Sequence, residues 1–391
     1  MQSIKIFTLN LSLYFRRAFS FNKFFILLFF IFNISNIIGQ EENKRAYPEV
    51  NIPGTHVREI YSSIVDQEYK LYINLPRYYD DPNRTFPVVY LLDAQWDFSL
   101  VSAIYGQQYY DGFLPELIIV GITWGGSNPN ADYLRARDFT PTNIKQLANS
   151  GNAPKFFEFI KEELIPFIES NYKASRTDRT LMGSSFGGLF TLYTFLNHTG
   201  LFNRYVLTSP ALGWDNGIIY KYENNYAEKN KDLPAKLYMA VGGLESNLPD
   251  FEKFAQQLQN RNYNEFEMGT RILEGIGHSG SKAEGFTRGL QFVFSKPSLN
   301  LDDNILQQYT GTYELSSKIR INIVVENNNL YVLLPDNSKI ILQAETESDF
   351  YVNGEYSNAH FQKDDSGKVT GFKLQRYNRE EFVTKITDDK K

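Results

Sequence analysis

Leu181-Met182-Gly183-Ser184-Ser185-Phe186-Gly187-Gly188 is the stretch from which the fold of this 391-residue chain is read. It contains Gly-x-Ser-x-Gly with Ser185 in the central place, an apolar run before it and a helical pattern over residues 189–196 after it. That context predicts a strand, a sharp turn with the serine at its apex, and a helix. Glycine at 183 and 187 suits a backbone too crowded for side chains around a strained residue. If Ser184 were the apex, Met182 and Phe186 would take those places and block the turn. The pentapeptide alone also fits a small-residue turn without chemistry, so the surrounding chain must supply partners.

Outward from the turn, residues 86–92 (FPVVYLL) and 117–122 (LIIVGI) are near-continuous apolar runs, the pattern of strands buried on both faces. Further strands are expected at 205–208, 236–241 and 270–273, and helices at 154–172, 248–259 and 283–294, where apolar residues recur at helical spacing. Residues 58–63 and 68–75 alternate around Val65-Asp66-Gln67 and read as an antiparallel hairpin. Buried strands alternating with helices define an α/β domain with a mainly parallel sheet, over about residues 50–296. In such sheets ligands bind at the carboxyl ends of strands. The serine turn, Asp93-Ala94-Gln95, Gly242-Gly243 and Gly275-Ile276-Gly277 all fall there. After Lys296-Pro297, short strands follow one another closely between Asn-, Asp- and Gly-bearing turns, which predicts a small antiparallel β domain over 299–391.

Composition narrows the function classes. Hydrophobic residues make up 42% of the chain, enough for a packed core, and a net charge of −5 argues against nucleic-acid binding. Without cysteine there is no disulfide, thiolate nucleophile or Cys-ligated metal. The four histidines are scattered with no His-Glu-x-x-His, so neither a metal nor a cofactor is expected. Gly275-Ile276-Gly277-His278-Ser279-Gly280 matches a dinucleotide fingerprint, but it follows the last expected strand of the α/β unit, and no second βαβ unit comes after it. Residues 1–39 carry Lys5, Arg16, Arg17 and Lys23, no acid, and a short apolar run over 24–32. This describes a secretory signal peptide cleaved near Gly39-Gln40, the alternative being an uncleaved anchor. Cleavage would leave 36 basic against 45 acidic residues, a net charge near −9, on an exported protein with no membrane segment, in the periplasm or beyond.

A serine hydroxyl needs a base. His56 lies upstream of the first strand, His198 at the expected end of the helix after the turn, and His360 in the β domain. His278 follows a strand on a glycine-rich loop downstream of Ser185, and is the candidate base. The acid that orients the imidazole should follow the strand at 236–241. Glu245 is the nearest carboxylate, and Asp250 is the alternative, though it is also placed to cap the next helix. Ser185, Glu245, His278 is the nucleophile–acid–base order of α/β-hydrolases. An oxyanion hole would use the backbone N–H of Phe186 and that of Gln95 or Ala94.

With these residues placed, Val89-Tyr90-Leu91-Leu92-Asp93, Gly183-Ser184-Ser185-Phe186-Gly187-Gly188-Leu189, Ser209-Pro210-Ala211-Leu212-Gly213-Trp214-Asp215-Asn216 and Gly277-His278-Ser279 resemble the Putative esterase family of α/β-hydrolases. That family groups siderophore esterases with feruloyl and acetyl-xylan esterases, S-formylglutathione hydrolase and mycolyltransferases. The Ser-Pro-x-Leu-x-Trp-x-Asn stretch is similar to the siderophore-esterase branch. The resemblance implies Ser185 as nucleophile, His278 as base, Gln95 with Phe186 as oxyanion donors, and a carboxylic ester as substrate. Family members with a glutamate acid favour Glu245. Ala94 departs from the glycine common at that place. The substrate is expected to be a siderophore ester or a feruloyl or acetyl ester of plant polysaccharide. The rival from another class is a binding protein on a hydrolase scaffold. The segment 124–142 reads as a long loop, and Trp96, Trp124 and Trp214 fall near strand ends, where aromatic rings would stack on a substrate ring. Arg135 and Arg137 would meet an anionic substrate or else pair with Asp132 or Asp138.

Overall fold

The computed structural model describes residues 50–377 and 379–386. The segment read as a signal peptide lies outside the described residues. None of the described helices is long and apolar enough to cross a membrane.

Eight strands form the first sheet: β1 (Thr55–Ser62), β2 (Gln67–Asn74), β3 (Phe86–Leu91), β4 (Ile118–Trp124), β5 (Ala174–Ser184), β6 (Arg204–Thr208), β7 (Asp232–Gly242) and β8 (Asn264–Leu273). Their spatial order is β1-β2-β4-β3-β5-β6-β7-β8. β1 pairs antiparallel with β2 and β2 with β4, and every pairing from β4 to β8 is parallel. This is the α/β architecture expected, with the hairpin at one edge. The apolar runs owe their continuity to burial on two faces. In β3, Val88 and Tyr90 enter one core while Val89 and Leu91 enter the other; in β4, Ile118 and Val120 oppose Ile119. Each such fully buried aliphatic side chain contributes about 1.5–3 kcal/mol.

Helices cover both faces. On one lie α1 (Ala94–Tyr110) and a C-terminal helix, Ser281–Val293, packed through Phe98, Val101, Tyr105, Phe286, Leu290 and Val293. The segment 124–142 is not simply a loop, since it contains α2 (Ala131–Phe139), whose Asn130 side chain caps the Tyr133 N–H at 3.0 Å. The helix expected at 154–172 runs as α3 (Ala153–Phe159), a π-turn (Ile160–Leu164) and α4 (Ile165–Asn171). Pro166 cannot donate into the turn before it, and the π-turn sits there. The remaining helices are α5 (Phe186–Asn197), α6 (Ile218–Ala227), α7 (Leu248–Arg261), α8 (Ser281–Val293) and the single turn α9 (Asp303–Leu306).

The C-terminal strands are β9 (Gly311–Glu314), β10 (Arg320–Glu326), β11 (Asn329–Leu333), β12 (Lys339–Ala344), β13 (Asp349–Tyr351), β14 (Ser357–Lys363), β15 (Val369–Arg376) and β16 (Arg379–Lys385). They close into an antiparallel barrel in which β9 joins β10 to β16. Closure removes the free edges that an open sheet would expose. The interior is filled by Tyr309, Tyr313, Ile323, Phe350, Phe361 and Phe372. The barrel meets the α/β layer closely: a Cβ on Gly112 would lie 2.2 Å from the Glu355 carbonyl carbon, and Tyr377 Oη donates to the Tyr110 carbonyl at 2.8 Å.

Candidate functional site

Ser185 sits between β5 and α5 at φ 59°, ψ −116°, a conformation unfavourable for a residue with a Cβ. The surroundings hold it there. Its N–H donates to the Thr208 carbonyl at 3.1 Å, and its carbonyl accepts from Leu189 at 2.9 Å and from Ala211 at 3.2 Å. A Cβ on Gly183 would stand 2.6 Å from the Gly187 carbonyl carbon, so only glycine lets the turn close. Ser184, by contrast, is buried at the end of the strand.

Across the rim, His278 Nδ1 lies 2.6 Å from Glu245 Oε2. The imidazole side chain is 50% exposed and the glutamate 6%. The other oxygen, Glu245 Oε1, accepts from the Gly242 N–H at 2.7 Å and from Ser209 Oγ at 2.5 Å. Gly242 is required by close approach, since a Cβ would meet the Ile276 carbonyl at 2.4 Å and displace the loop that bears His278. Ser185, Glu245 and His278 line one open cavity of about 430 Å³, with Ala211 and Leu244 among its other walls. A histidine held by a carboxylate at Nδ1 keeps its second nitrogen free to take a proton from a neighbouring hydroxyl. Asp250 is exposed on the first turn of α7, and the His278 Nδ1 goes to Glu245 instead; the Ncap there is Asn247. Asp250 is thus neither hydrogen-bonded to the imidazole nor the helix cap.

The Gln95 and Phe186 amides each fall in the first turn of a helix, α1 and α5, where backbone N–H groups have no intrahelical acceptor. What aligns the two turns was not read from the sequence. Asp93, buried at φ 54°, binds Arg135 through two hydrogen bonds, Nε–Oδ1 at 3.1 Å and Nη2–Oδ2 at 2.9 Å. The guanidinium carbon lies 5.2 Å from the Phe186 ring centre and 5.6 Å from that of Trp96. Arg135 on α2 therefore ties the loop before Gln95 to the residue after Ser185. The partner Asp93 was not among the acids, Asp132 and Asp138, considered for it. Just behind, Lys282 pairs with Asp97 at 2.8 Å, linking the starts of α8 and α1. Burial raises the Asp97 carboxyl above its ordinary range, against the pull of Lys282.

Three residues expected to contact substrate are placed elsewhere. Trp124 is 3% exposed, and its Nε1 donates to Asp138 at 2.8 Å. Arg137 pairs with the same Asp138, which also accepts from Tyr69. Asp138 is fully buried, and burying a carboxylate requires such a set of donors. Trp124 and Arg137 thus belong to a buried network rather than to the rim. Trp214 is 8% exposed, donates to Thr142 Oγ1 at 3.1 Å and packs edge-on against Phe186. Of the three tryptophans only Trp96, 48% exposed, presents a free face. The other histidines are set apart: His56 faces Tyr172, His360 pairs with Asp349 in the barrel, and His198 stacks on Phe157 at 3.6 Å. Burial, then Lys161, pushes the His198 imidazole down to about 4.

A mostly parallel sheet carrying a serine on a strained strand-to-helix turn, opposite a histidine–carboxylate pair, is the architecture of the α/β-hydrolases. Residues 62–282 match the family model described as "Putative esterase", and the chain belongs to that family and to the esterase class of enzymes. Residues 296–388 match a second model, described as a domain of unknown function (DUF3471). The chain is 32% identical over 211 residues to ferri-bacillibactin esterase BesA of Bacillus subtilis, covering 50% of this chain and 72% of that protein. Among solved structures it resembles the BES protein from Bacillus cereus, with TM-score 0.58 and 25% identity over 63% of this chain and 98% of that one. It also resembles an IroE-like serine hydrolase from Shewanella oneidensis, with TM-score 0.55 and 25% identity over 61% of this chain and 80% of that one.

Proposed function

We propose that the protein is an exported serine esterase that cleaves siderophore esters through an acyl-enzyme on Ser185. The observation that carries the mechanism is the Glu245–His278 pair, 2.6 Å apart, sharing one cavity with the strained Ser185. The substrate class is supported by the likeness to BesA, whose name gives ferri-bacillibactin as what it acts on. Export is supported by the basic start and apolar run within residues 1–39.

In this reading His278 Nε2 takes the Ser185 proton as Oγ forms a bond to the ester carbonyl carbon. The carbonyl oxygen becomes an oxyanion and accepts from the Gln95 and Phe186 N–H groups. Collapse breaks the ester C–O bond, and His278 returns the proton to the leaving alkoxide. Water, deprotonated by His278, then attacks the acyl-enzyme, releasing the acid and restoring Ser185. Ser185 and His278 line the same cavity without a direct hydrogen bond between them, and catalytic contacts of this kind commonly tighten in the substrate complex. The exposed Trp96, beside Gln95, is the residue offered to an aromatic substrate ring.

The test uses purified protein lacking residues 1–39, a chromogenic short-acyl ester, and Ser185→Ala beside it. Turnover should fall by on the order of 10⁵-fold in the variant. Absent turnover, or equal turnover by Ser185→Ala, would refute the esterase mechanism. A panel of ferric siderophores and feruloylated or acetylated oligosaccharides then decides the substrate class. Preference for the polysaccharide esters would overturn the siderophore reading while leaving the mechanism standing.

A further inference from the structure

Two buried serines stand behind the Glu245–His278 pair. Ser209 follows β6 and Ser281 opens α8, and both side chains are fully excluded from solvent. Ser209 Oγ is 2.5 Å from Glu245 Oε1 and 2.7 Å from Ser281 Oγ, and Ser281 Oγ is 2.7 Å from the backbone carbonyl of His278. With the Nδ1–Oε2 contact these links close a ring: Glu245, Ser209, Ser281, His278 and back to Glu245. We propose that Ser209 and Ser281 are positioning residues that hold both ends of the Glu245–His278 pair. The inference rests on the esterase reading of Ser185.

The packing brings the two hydroxyls together at some cost. Ser209 adopts φ 47°, and its N–H is held by the Ala240 carbonyl at 2.7 Å. On α8, Ser281, Gly285 and Gly289 recur at four-residue spacing and so share one face. A Cβ on Gly285 would lie 2.5 Å from Thr208 Cγ2, and one on Gly289 2.4 Å from Val206 Cγ1. The absence of those side chains lets α8 lie against β6 closely enough for Ser281 to reach Ser209. The strained Ser209 backbone and the small-residue face of α8 thus serve one contact.

Counting protons shows what the ring does. The Glu245 carboxylate and the His278 carbonyl only accept, so the two serines have two protons for three oxygen–oxygen contacts. With Glu245 ionised, the Ser209 proton goes to Oε1, next to the Gly242 N–H. The Ser281 proton then serves either the His278 carbonyl or Ser209 Oγ. In the second arrangement it strengthens the Ser209 donor by polarising it. Two donors on one nearly buried oxygen fix the orientation of the carboxylate, so that Oε2 stays on Nδ1 of the imidazole.

Removing the Ser209 hydroxyl leaves the carboxylate with one donor fewer, so it draws more strongly on the Nδ1 proton and the acid limb of the kcat/KM profile moves to higher pH. Freed from Ser209, the pair is also held less firmly in place, which predicts a fall in kcat of roughly tenfold, with KM little changed. The variants are Ser209→Gly, which accepts positive φ and so protects folding, Ser209→Ala and Ser281→Ala. They are assayed beside wild type and Ser185→Ala, with thermal melting to verify folding and NMR of the His278 Nδ1 proton as a readout that needs no substrate. We expect an upward shift of the acid limb in both Ser209 variants, a smaller shift in Ser281→Ala, and a moved or lost Nδ1–H resonance. Folded Ser209 variants with an unchanged pH profile and an unchanged resonance would overturn the proposal. If wild type and Ser185→Ala do not differ, the esterase reading fails instead, and the resonance alone still decides whether the serines hold the pair.

Discussion

Glu245→Gln isolates the charge of the proposed triad acid, and the structure dictates how the amide must sit. Oε1 of Glu245 accepts from the Gly242 N–H and Ser209 Oγ. In the glutamine the carbonyl oxygen will keep that place, because an NH₂ group there would face donors. The NH₂ is then presented to His278 Nδ1, which lies 2.6 Å from Oε2 in the parent. Nδ1 must accept, so the imidazole proton moves to Nε2, and the ring can no longer receive the Ser185 proton. The lost charge adds to this. At an effective dielectric of ~20 and a separation of ~3.5 Å, a carboxylate stabilises an imidazolium by about 4–5 kcal/mol. Because the imidazole is half exposed, screening trims this to about 3 kcal/mol, on the order of 10²-fold. Together the tautomer and the charge predict a fall in kcat of roughly 10³–10⁴-fold. Stability should change little, since the side chain keeps its shape and both donors keep an acceptor. Asp250→Asn is the control, exposed and away from the imidazole, and should stay within about threefold of wild type. The assay is steady-state hydrolysis of a chromogenic ester, with thermal melting alongside. Glu245→Gln within tenfold of wild type, or a larger loss in Asp250→Asn, would refute the assignment.

Arg135→Ala leaves the Asp93 carboxylate buried without its partner and should destabilise the protein by about 3–5 kcal/mol, read from denaturant unfolding. Arg135→Lys should recover only part of this and of the activity, because an ammonium gives neither the two-point contact nor the stacking between Trp96 and Phe186. His198, held down to about 4 by burial, binds fewer protons folded than unfolded between pH 4 and 6.5. Its contribution is therefore complete above about pH 6.5 and is lost as pH falls towards 4. In a His198→Phe variant, which keeps the stack on Phe157, the acid-side slope of stability should flatten by an amount on the order of 1–2 kcal/mol, allowing for partial exposure. Gly112→Ala places a Cβ against the Glu355 backbone from a residue at φ +75°. It should loosen the barrel from the α/β layer, seen as a lowered Tm and faster proteolysis around residues 296–299, with ester turnover nearly unchanged.

The features legible in the sequence were those that short spacing imposes. The serine turn announces itself because only glycine tolerates the contact between positions 183 and 187. The strands β3 and β4 announce themselves because burial on two faces leaves no polar alternation. Where polar residues are buried, the pattern blurs. Helix α1 was missed because Asp97, Ser102 and Gln108 lie on its inner side among the apolar residues. Strand β16 was missed because only Val383 of Arg379–Lys385 is buried, so nothing marked the closing of the barrel. The site divides in the same way. Ser185, Glu245 and His278 could be proposed from chain order, since a parallel sheet delivers strand ends to one rim.

Which groups meet there is a matter of long-range geometry. Arg135 finds Asp93 rather than Asp132, Trp124 turns inward to Asp138, and Ser209 reaches Ser281 across 72 residues of chain. Such partners are chosen by burial: a carboxylate or hydroxyl removed from water takes whatever donors the packed elements bring to it. The sequence by itself determined the layered fold and the chain order of the proposed reacting groups, because backbone sterics and hydrophobic period are local. Only the tertiary structure decided which charged and hydroxyl groups support them, because desolvation acts between residues far apart in the chain.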